Sequence, residues 1–496
     1  MSDPELPESE APSNWKLDES PASRQQMPFI SLLLHALAWV LTCGLVVFWI
    51  LISSMMEAPQ TQQAASVSIS SADEMAAKML LGLNDLSPGS GPMLEGQVAP
   101  WEISDNPGQR LGYVIMISEL GSPEAGVQAL ERLHESVAAE EIPDLPESYP
   151  ELLKIVGELL FAEAAGEAAT PLSQVQLGEL EKDLGFLGKL LHARAVQDTA
   201  VLERIQTQMN RAAFAILGVI VWFLVMGFSG LVALILMFVL MMNKTLKFRF
   251  RVSSTSSSIY METFAAWLLL FIGLQTVPSI ILMNVLDLNL PPNAGLLIGL
   301  AGFFLSLLAL GWPLLRGYSF SRVCADIGLV PGRFFIEILA GVVTYAAAIP
   351  LLLVGAICFA VLSALYSLVF GAPPEPTHPI QESLTSGATG IILTYLLACV
   401  AAPIVEETMF RGVLYRYLRD ISRRWLWFFS FLLSALVSSF IFAVIHPQGI
   451  LFVPVLGALA VAFCIGREWR GSLVAPMVAH GLSNAVIMTL NVLIMF

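Results

Sequence analysis

The chain has 496 residues, of which 56% are hydrophobic and 13% charged, and its formal net charge is −15 at pH 7. This composition is too apolar for a soluble protein of such length and predicts a polytopic membrane protein. The acidic charge lies mainly in residues 57–210, where 24 acids against 8 bases leave a balance of −16, which argues against nucleic-acid binding.

The N-terminal region divides into a tail and an anchor. Residues 1–26 are polar and rich in proline, which predicts a disordered cytoplasmic tail. Residues 27–56 contain an apolar run long enough to span a bilayer. The preceding tail is acidic and no small-residue cleavage site closes the run, so an uncleaved transmembrane anchor is favoured over a signal peptide.

Residues 57–210 are expected to form an acidic, mainly helical extracytoplasmic domain. Apolar residues recur at helical spacing over four stretches, 75–83, 123–141, 149–165 and 172–209. The run from Gly112 to Ile117 is expected to form a short strand. The domain shows no catalytic constellation, so we expect it to bind a protein partner if it has a separate role.

Eight apolar segments follow, and with the anchor they predict about nine transmembrane helices in an all-α fold. The segments are 212–242, 259–285, 294–315, 334–369, 387–415, 426–446, 450–466 and 471–494. The first of them and a basic cytoplasmic loop make up 211–256, and the remaining core occupies 257–496.

Loop charges alternate along this part of the chain. Basic clusters near 244–251, 316–333, 416–424 and 467–470 alternate with loops that carry only acids, namely Asp287, Glu375 and Glu382. By the positive-inside rule the N-terminus is cytoplasmic and residues 57–210 lie outside. No organelle-targeting signal is evident, which favours a bacterial inner membrane.

Polar residues inside the C-terminal spans are the main functional signal. An ionisable side chain in hydrocarbon costs at least ~2.5–3.5 kcal/mol, so such residues are functional candidates. They are Glu406, Glu407, Arg411, His446, His480 and Asn484. Glu407 and Arg411 are four residues apart on one helix face and should form an ion pair, which leaves Glu406 free for another role.

His446 is the residue that helix geometry places least well. A rise of ~1.5 Å per residue puts His480 roughly 15 Å from Arg470, near the middle of the membrane. The same rise puts His446 roughly 33 Å from Arg424, close to the outer face, unless the helix tilts or starts late.

These residue types suit amide hydrolysis without a covalent intermediate. A carboxylate and a histidine can hold and deprotonate water, directly or through a metal. A second histidine and an amide can stabilise an oxyanion.

Three motifs, in this order within the last four spans, resemble the CPBP family of CAAX prenyl endopeptidases and bacteriocin-processing or immunity (Abi) proteins. They are EExxxR (Glu406, Glu407, Arg411), FxxxH (Phe442, His446) and HxxxN (His480, Asn484). The resemblance implies an eight-helix intramembrane (metallo)endopeptidase acting on a membrane protein or lipidated peptide. It implies that Glu406 and His446 activate water and that His480 and Asn484 bind the oxyanion or assist a metal. A divalent metal such as zinc would then have Glu406, His446 and His480 as its candidate ligands. Glu407 and Arg411 would shape the site.

The sequence also allows three other interpretations. Gly227–Gly230 spells GxSG, as in rhomboid serine proteases, but small residues in spans usually serve helix packing. A non-proteolytic scaffold or immunity protein would act through residues 57–210. An ion or proton carrier would explain the intramembrane acids, but no internal repeat supports it.

Overall fold

The computed structural model describes residues 29–57, 67–139, 145–251, 258–282, 293–329, 334–371, 384 and 387–495. The predicted tail at 1–26 lies outside these residues, as do the loop acids Asp287, Glu375 and Glu382. Within the described residues the secondary structure is helical and no strand occurs, which confirms the all-α prediction.

Nine helices in the described part of the chain are long and apolar enough to cross a membrane, as predicted. The first is α1 (Phe29–Glu57), which covers the predicted anchor. Its indole at Trp39 donates to the Tyr417 hydroxyl at 2.8 Å, so α1 is docked on the C-terminal helices. The protein is therefore an integral membrane protein with an all-helical core.

The domain between the first two spans, called the outer domain after its predicted location at 57–210, consists of six helices and the start of a seventh around one apolar core. Its helices are α2 (Ser71–Leu86), α3 (Gly91–Glu102), α4 (Pro107–Leu120), α5 (Pro123–Ala138), α6 (Tyr149–Ala164) and α7 (Gln174–Ala195).

The predicted strand at Gly112–Ile117 is wrong, because these residues lie in α4. Asn106 caps the N-terminus of this helix, because its side chain accepts from the Gly108 amide at 2.8 Å. Pro107 occupies the first helical position. Helix α4 is the central helix of the domain and is buried along almost its whole length. A short apolar run fits a buried helix and a buried strand equally well, which explains the error.

Helix α8 (Thr199–Met242) joins the outer domain to the membrane without a linker. Its 44 residues make it about 66 Å long at the usual rise per residue. The predicted boundary at residues 210 and 211 falls inside this helix, and Ile205 and Met209 on its first part are buried in the outer-domain core. The outer domain and the first core span therefore share one continuous helix.

The remaining core helices follow the predicted segments closely. They are α9 (Ser258–Ile280), α10 (Ala294–Leu315, with a 3₁₀ turn at Leu307–Leu310), the short α11 (Phe320–Ile327), α12 (Phe334–Phe370), α13 (Gly387–Ile421), α14 (Trp427–Val444), α15 (Val453–Arg470) and α16 (Val474–Met495).

The outer domain also contacts the end of the last helix. Lys78 on α2 is almost fully buried, and its ammonium group donates to the Met495 carbonyl at 3.3 Å while pairing with Glu74 at 2.9 Å. Helix α16 carries two predicted site residues, and its C-terminal end is thus bound by α2 of this domain.

Candidate active site

Helix α13 is irregular where it carries the two glutamates. It contains a π-helical turn at Leu396–Ala401, a regular turn at Ala402–Glu407, and a second π-helical stretch at Thr408–Leu414. Pro403 lacks an N–H and so interrupts the regular hydrogen-bond pattern at this point. Isolated π turns in helices occur frequently at functional sites.

Glu407 forms the predicted ion pair with Arg411, and both side chains are completely buried. Arg411 Nη1 donates to Glu407 Oε1 at 2.9 Å, and its Nη2 donates to the Ala460 carbonyl at 3.1 Å. The same Glu407 oxygen lies 2.9 Å from His480 Nδ1. Glu407 therefore holds one imidazole of the site while it neutralises the arginine.

Glu406 points to a different set of neighbours, as its position on the helix predicts. Its Oε2 lies 3.7 Å from His446 Nε2 and 3.9 Å from His480 Nε2. These separations are too long for direct hydrogen bonds, and this buried oxygen has no hydrogen-bond partner among the described residues. A water molecule could bridge polar atoms at such distances.

The two histidines have defined orientations. His446 Nδ1 lies 2.6 Å from the Phe442 carbonyl, which can only accept, so this nitrogen carries a proton. His480 Nδ1 likewise donates to the Glu407 carboxylate. In both rings the Nδ1 partner fixes the tautomer, and Nε2 faces Glu406.

Aromatic rings pack around this polar group. The Arg411 guanidinium lies over Phe442 at 4.6 Å and Phe463 at 5.1 Å, measured to the ring centroids. Phe463 also stacks on His480 with centroids 5.1 Å apart, and Phe442 lies 4.3 Å from the His446 ring. Sequence analysis missed Phe463, because one phenylalanine in an apolar span gives no signal.

Asn484 lies one turn beyond His480 on α16, where its amide donates to the Ala398 carbonyl at 2.7 Å. That carbonyl belongs to the first π turn of α13. The two helices approach closely there, since a Cβ at Gly481 would lie 2.7 Å from the Cys399 carbonyl oxygen. Asn484 thus contacts a distorted part of the helix that carries Glu406.

Metal binding was expected at Glu406, His446 and His480. Among the residues that the structure describes, no group of three or more His, Cys, Asp or Glu side chains is arranged to hold a metal ion.

A second buried polar cluster, which the sequence did not predict, lies nearer the predicted cytoplasmic face. Arg419 pairs with Glu468 at 2.7 Å, and the Tyr415 hydroxyl donates to the same carboxylate. Arg416 pairs with Asp326 at 2.8 Å. In the sequence these arginines resemble loop residues that determine topology. In the structure they are buried and pair with acids on other helices. The cluster fixes the C-terminal end of α13, which is predicted to be cytoplasmic.

The GxSG motif is a packing element. The Ser229 hydroxyl donates to the Val225 carbonyl in its own helix at 2.8 Å. Gly230 is needed for close approach, since a Cβ there would lie 1.8 Å from the Ala346 carbonyl oxygen on α12. The structure thus gives both residues a role in helix architecture.

The fold and this site define a polytopic membrane protein with a carboxylate–imidazole centre inside its helical core. Residues 388–486 match the family model of the type II CAAX prenyl endopeptidase Rce1-like proteins, which confirms the predicted resemblance over that segment. All seven predicted site residues fall within the match.

Comparison with known proteins also finds a bacterial relative. An "Uncharacterized 24.3 kDa protein" of Escherichia coli is 30% identical over 109 residues, which is 21% of this chain and 48% of the relative. The chain therefore spans about half the length of that relative. No solved structure matches the chain.

Proposed function

We propose that this protein is an intramembrane endopeptidase that hydrolyses a peptide bond of a membrane-associated or lipid-modified substrate. The observation that carries the proposal is the buried Glu406 Oε2, which has no hydrogen-bond partner among the described residues and faces Nε2 of both His446 and His480. The family match over 388–486 supports the reaction class.

In the proposed reaction a water molecule binds between Glu406 and the histidines. Glu406 accepts one water proton, as a positioned general base does, while His446 Nε2 accepts a hydrogen bond that orients the water. The water oxygen forms a bond to the scissile carbonyl carbon. The proton on Glu406 then passes to the amide nitrogen as the carbon–nitrogen bond breaks, which balances the hydrolysis.

His480 is assigned to the developing oxyanion. The Glu407 carboxylate accepts from Nδ1 and so orients the ring with Nε2 toward Glu406, where a proton on Nε2 would be donated to the oxyanion. Arg411 keeps Glu407 in place from the other side. We assign Asn484 to positioning, because its amide nitrogen holds the π turn of α13 through Ala398.

A divalent metal such as zinc at Glu406, His446 and His480 is proposed as an alternative way of activating the water. Metal analysis of the purified full chain tests it. A stoichiometric metal whose removal by a chelator stops cleavage, and whose return restores it, supports the assignment. Full activity of metal-free protein contradicts it.

Substrate proteomics tests the proposed function. Membranes of cells that produce the wild type or Glu406→Gln are compared for new peptide termini near or within spans, with Ser229→Ala as a control. We expect termini that appear with wild type and Ser229→Ala and vanish with Glu406→Gln. Identical termini in all three membranes would contradict proteolysis.

A scaffold that acts through the outer domain is the second candidate, since that domain has its own core and holds the ends of α8 and α16. It predicts a different genetic pattern. Deleting most of the domain would remove the cellular function, while Glu406→Gln and His480→Gln would leave it intact.

A further inference from the structure

The basic loop after α8 has alternating cationic and aromatic side chains that take no part in the proposed reaction. Residues 246–251 are non-helical, and the sequence Lys247-Phe248-Arg249-Phe250-Arg251 alternates cations with aromatic rings. Side chains two residues apart in an extended segment share a face. The three cationic side chains are exposed, whereas Phe250 is buried and Phe248 is half-buried.

The aromatic residues attach the segment to the core. Phe248 packs on Trp427 with ring centroids 4.8 Å apart, and Phe250 packs on Tyr415 at 5.7 Å. The backbone amides of Arg249 and Phe250 both donate to the Glu468 carbonyl at 3.1 Å. The cations are therefore presented from a backbone fixed to the end of α15.

The cations line a polar cleft of about 500 Å³ together with Phe248, Trp469 and Arg470. Arg470 is neutralised by Glu337, with its Nε 3.0 Å from Oε2. No acidic partner is found for Lys247, Arg249 or Arg251 among the described residues. The cleft thus has three uncompensated positive charges.

The location of the cleft indicates the class of ligand that would bind there. It lies where α8 and α15 end, at the face that the positive-inside rule assigns to the cytoplasm, and Trp427 and Trp469 flank it as aromatic residues do at a membrane surface. Basic pockets between spans at that depth bind anionic lipid headgroups. We propose that this cleft binds the phosphate headgroup of an anionic phospholipid.

Native mass spectrometry of the full chain in detergent, titrated with phosphatidylglycerol or phosphatidylcholine, tests the proposal. The wild type should retain phosphatidylglycerol preferentially. The variant Arg249→Gln/Arg251→Gln should bind it about 25-fold more weakly, because each base near a membrane surface contributes roughly fivefold. The control Arg423→Gln/Arg424→Gln removes two exposed bases from another loop of the same face and should change binding less than about twofold.

An equal loss in both variants would overturn the proposal, because general surface charge would then explain binding. Displacement of the lipid by millimolar inorganic phosphate would overturn the lipid as the source of the phosphate. If the Arg249→Gln/Arg251→Gln variant fails to fold, hydrogen exchange of the wild type in nanodiscs decides the matter. Protection of 246–251 with phosphatidylglycerol but not phosphatidylcholine is expected, and equal exchange in both would refute the site.

Discussion

Neutralising either of the two adjacent glutamates should change the stability of the protein by very different amounts. The changes Glu406→Gln and Glu407→Gln keep side-chain shape and remove one charge each. In Glu407→Gln the charge that pairs with Arg411 at 2.9 Å is lost, and the oxygen 2.9 Å from His480 Nδ1 becomes a weaker, neutral acceptor. Breaking such a pair leaves the arginine charge buried without its partner, which costs about 3–5 kcal/mol.

Glu406 makes no hydrogen bond through Oε2 and lies beyond hydrogen-bond distance of both histidines. Glu406→Gln should therefore change the free energy of unfolding by less than about 1 kcal/mol, since no hydrogen bond is lost. It should nevertheless abolish cleavage, because the amide of glutamine cannot accept the proton from water.

Thermal unfolding of the purified full chain, in one detergent and at one scan rate, measures the contrast. Glu407→Gln should lower the melting temperature by an amount on the order of 5 °C, and Glu406→Gln should leave it nearly unchanged. Equal destabilisation by the two substitutions would refute the separation of a supporting carboxylate from a reactive one.

Three further predictions concern other parts of the chain. Ser229→Ala should keep full activity, and loss of cleavage in this variant would support a serine mechanism instead. Gly230→Val should lower the free energy of unfolding by about 1–3 kcal/mol, since the valine side chain would clash with the Ala346 carbonyl. Burial, opposed by Arg194, raises the pKa of Glu119 in the outer domain to about 7 from an ordinary 4.5. The folded state then holds the proton more tightly than the unfolded chain, so stability should fall by about 3 kcal/mol as the pH rises from about 4.5 to about 7, and melting curves of Glu119→Gln should lack this slope. Phe463→Leu should keep the fold but reduce the cleavage rate more than substrate affinity, because His480 loses its stacking partner; an unchanged rate would show that the stacking is dispensable.

The sequence was sufficient for the membrane architecture and for the ion pair of the site. Nine spans follow from apolar length alone, and the pairing of Glu407 with Arg411 follows from helical periodicity. Both depend on local sequence. The interpretation of Gly112–Ile117 failed because a short apolar run does not distinguish helix from strand when all sides are buried.

Contacts between distant segments could not be predicted in this way. The helical rise from Arg424 predicts that His446 lies near the outer membrane face, far from the other site residues. Its Nε2 nevertheless lies 3.7 Å from Glu406 Oε2. Helix α14 starts only at Trp427 and ends at Val444, so His446 lies in the turn beyond it. The burial of Arg416 depends on Asp326, which is ninety positions earlier in the chain, and no spacing rule links the two.

The most direct test of the account is cleavage of a substrate by the purified protein in liposomes. A membrane peptide identified from wild-type cells is incubated with the wild type, Glu406→Gln and His480→Gln, and the products are measured by mass spectrometry. The account predicts cleavage by the wild type and none by either variant, while Glu406→Gln melts at the wild-type temperature. Cleavage by a folded Glu406→Gln variant at the wild-type rate would contradict the assignment of this carboxylate as the base.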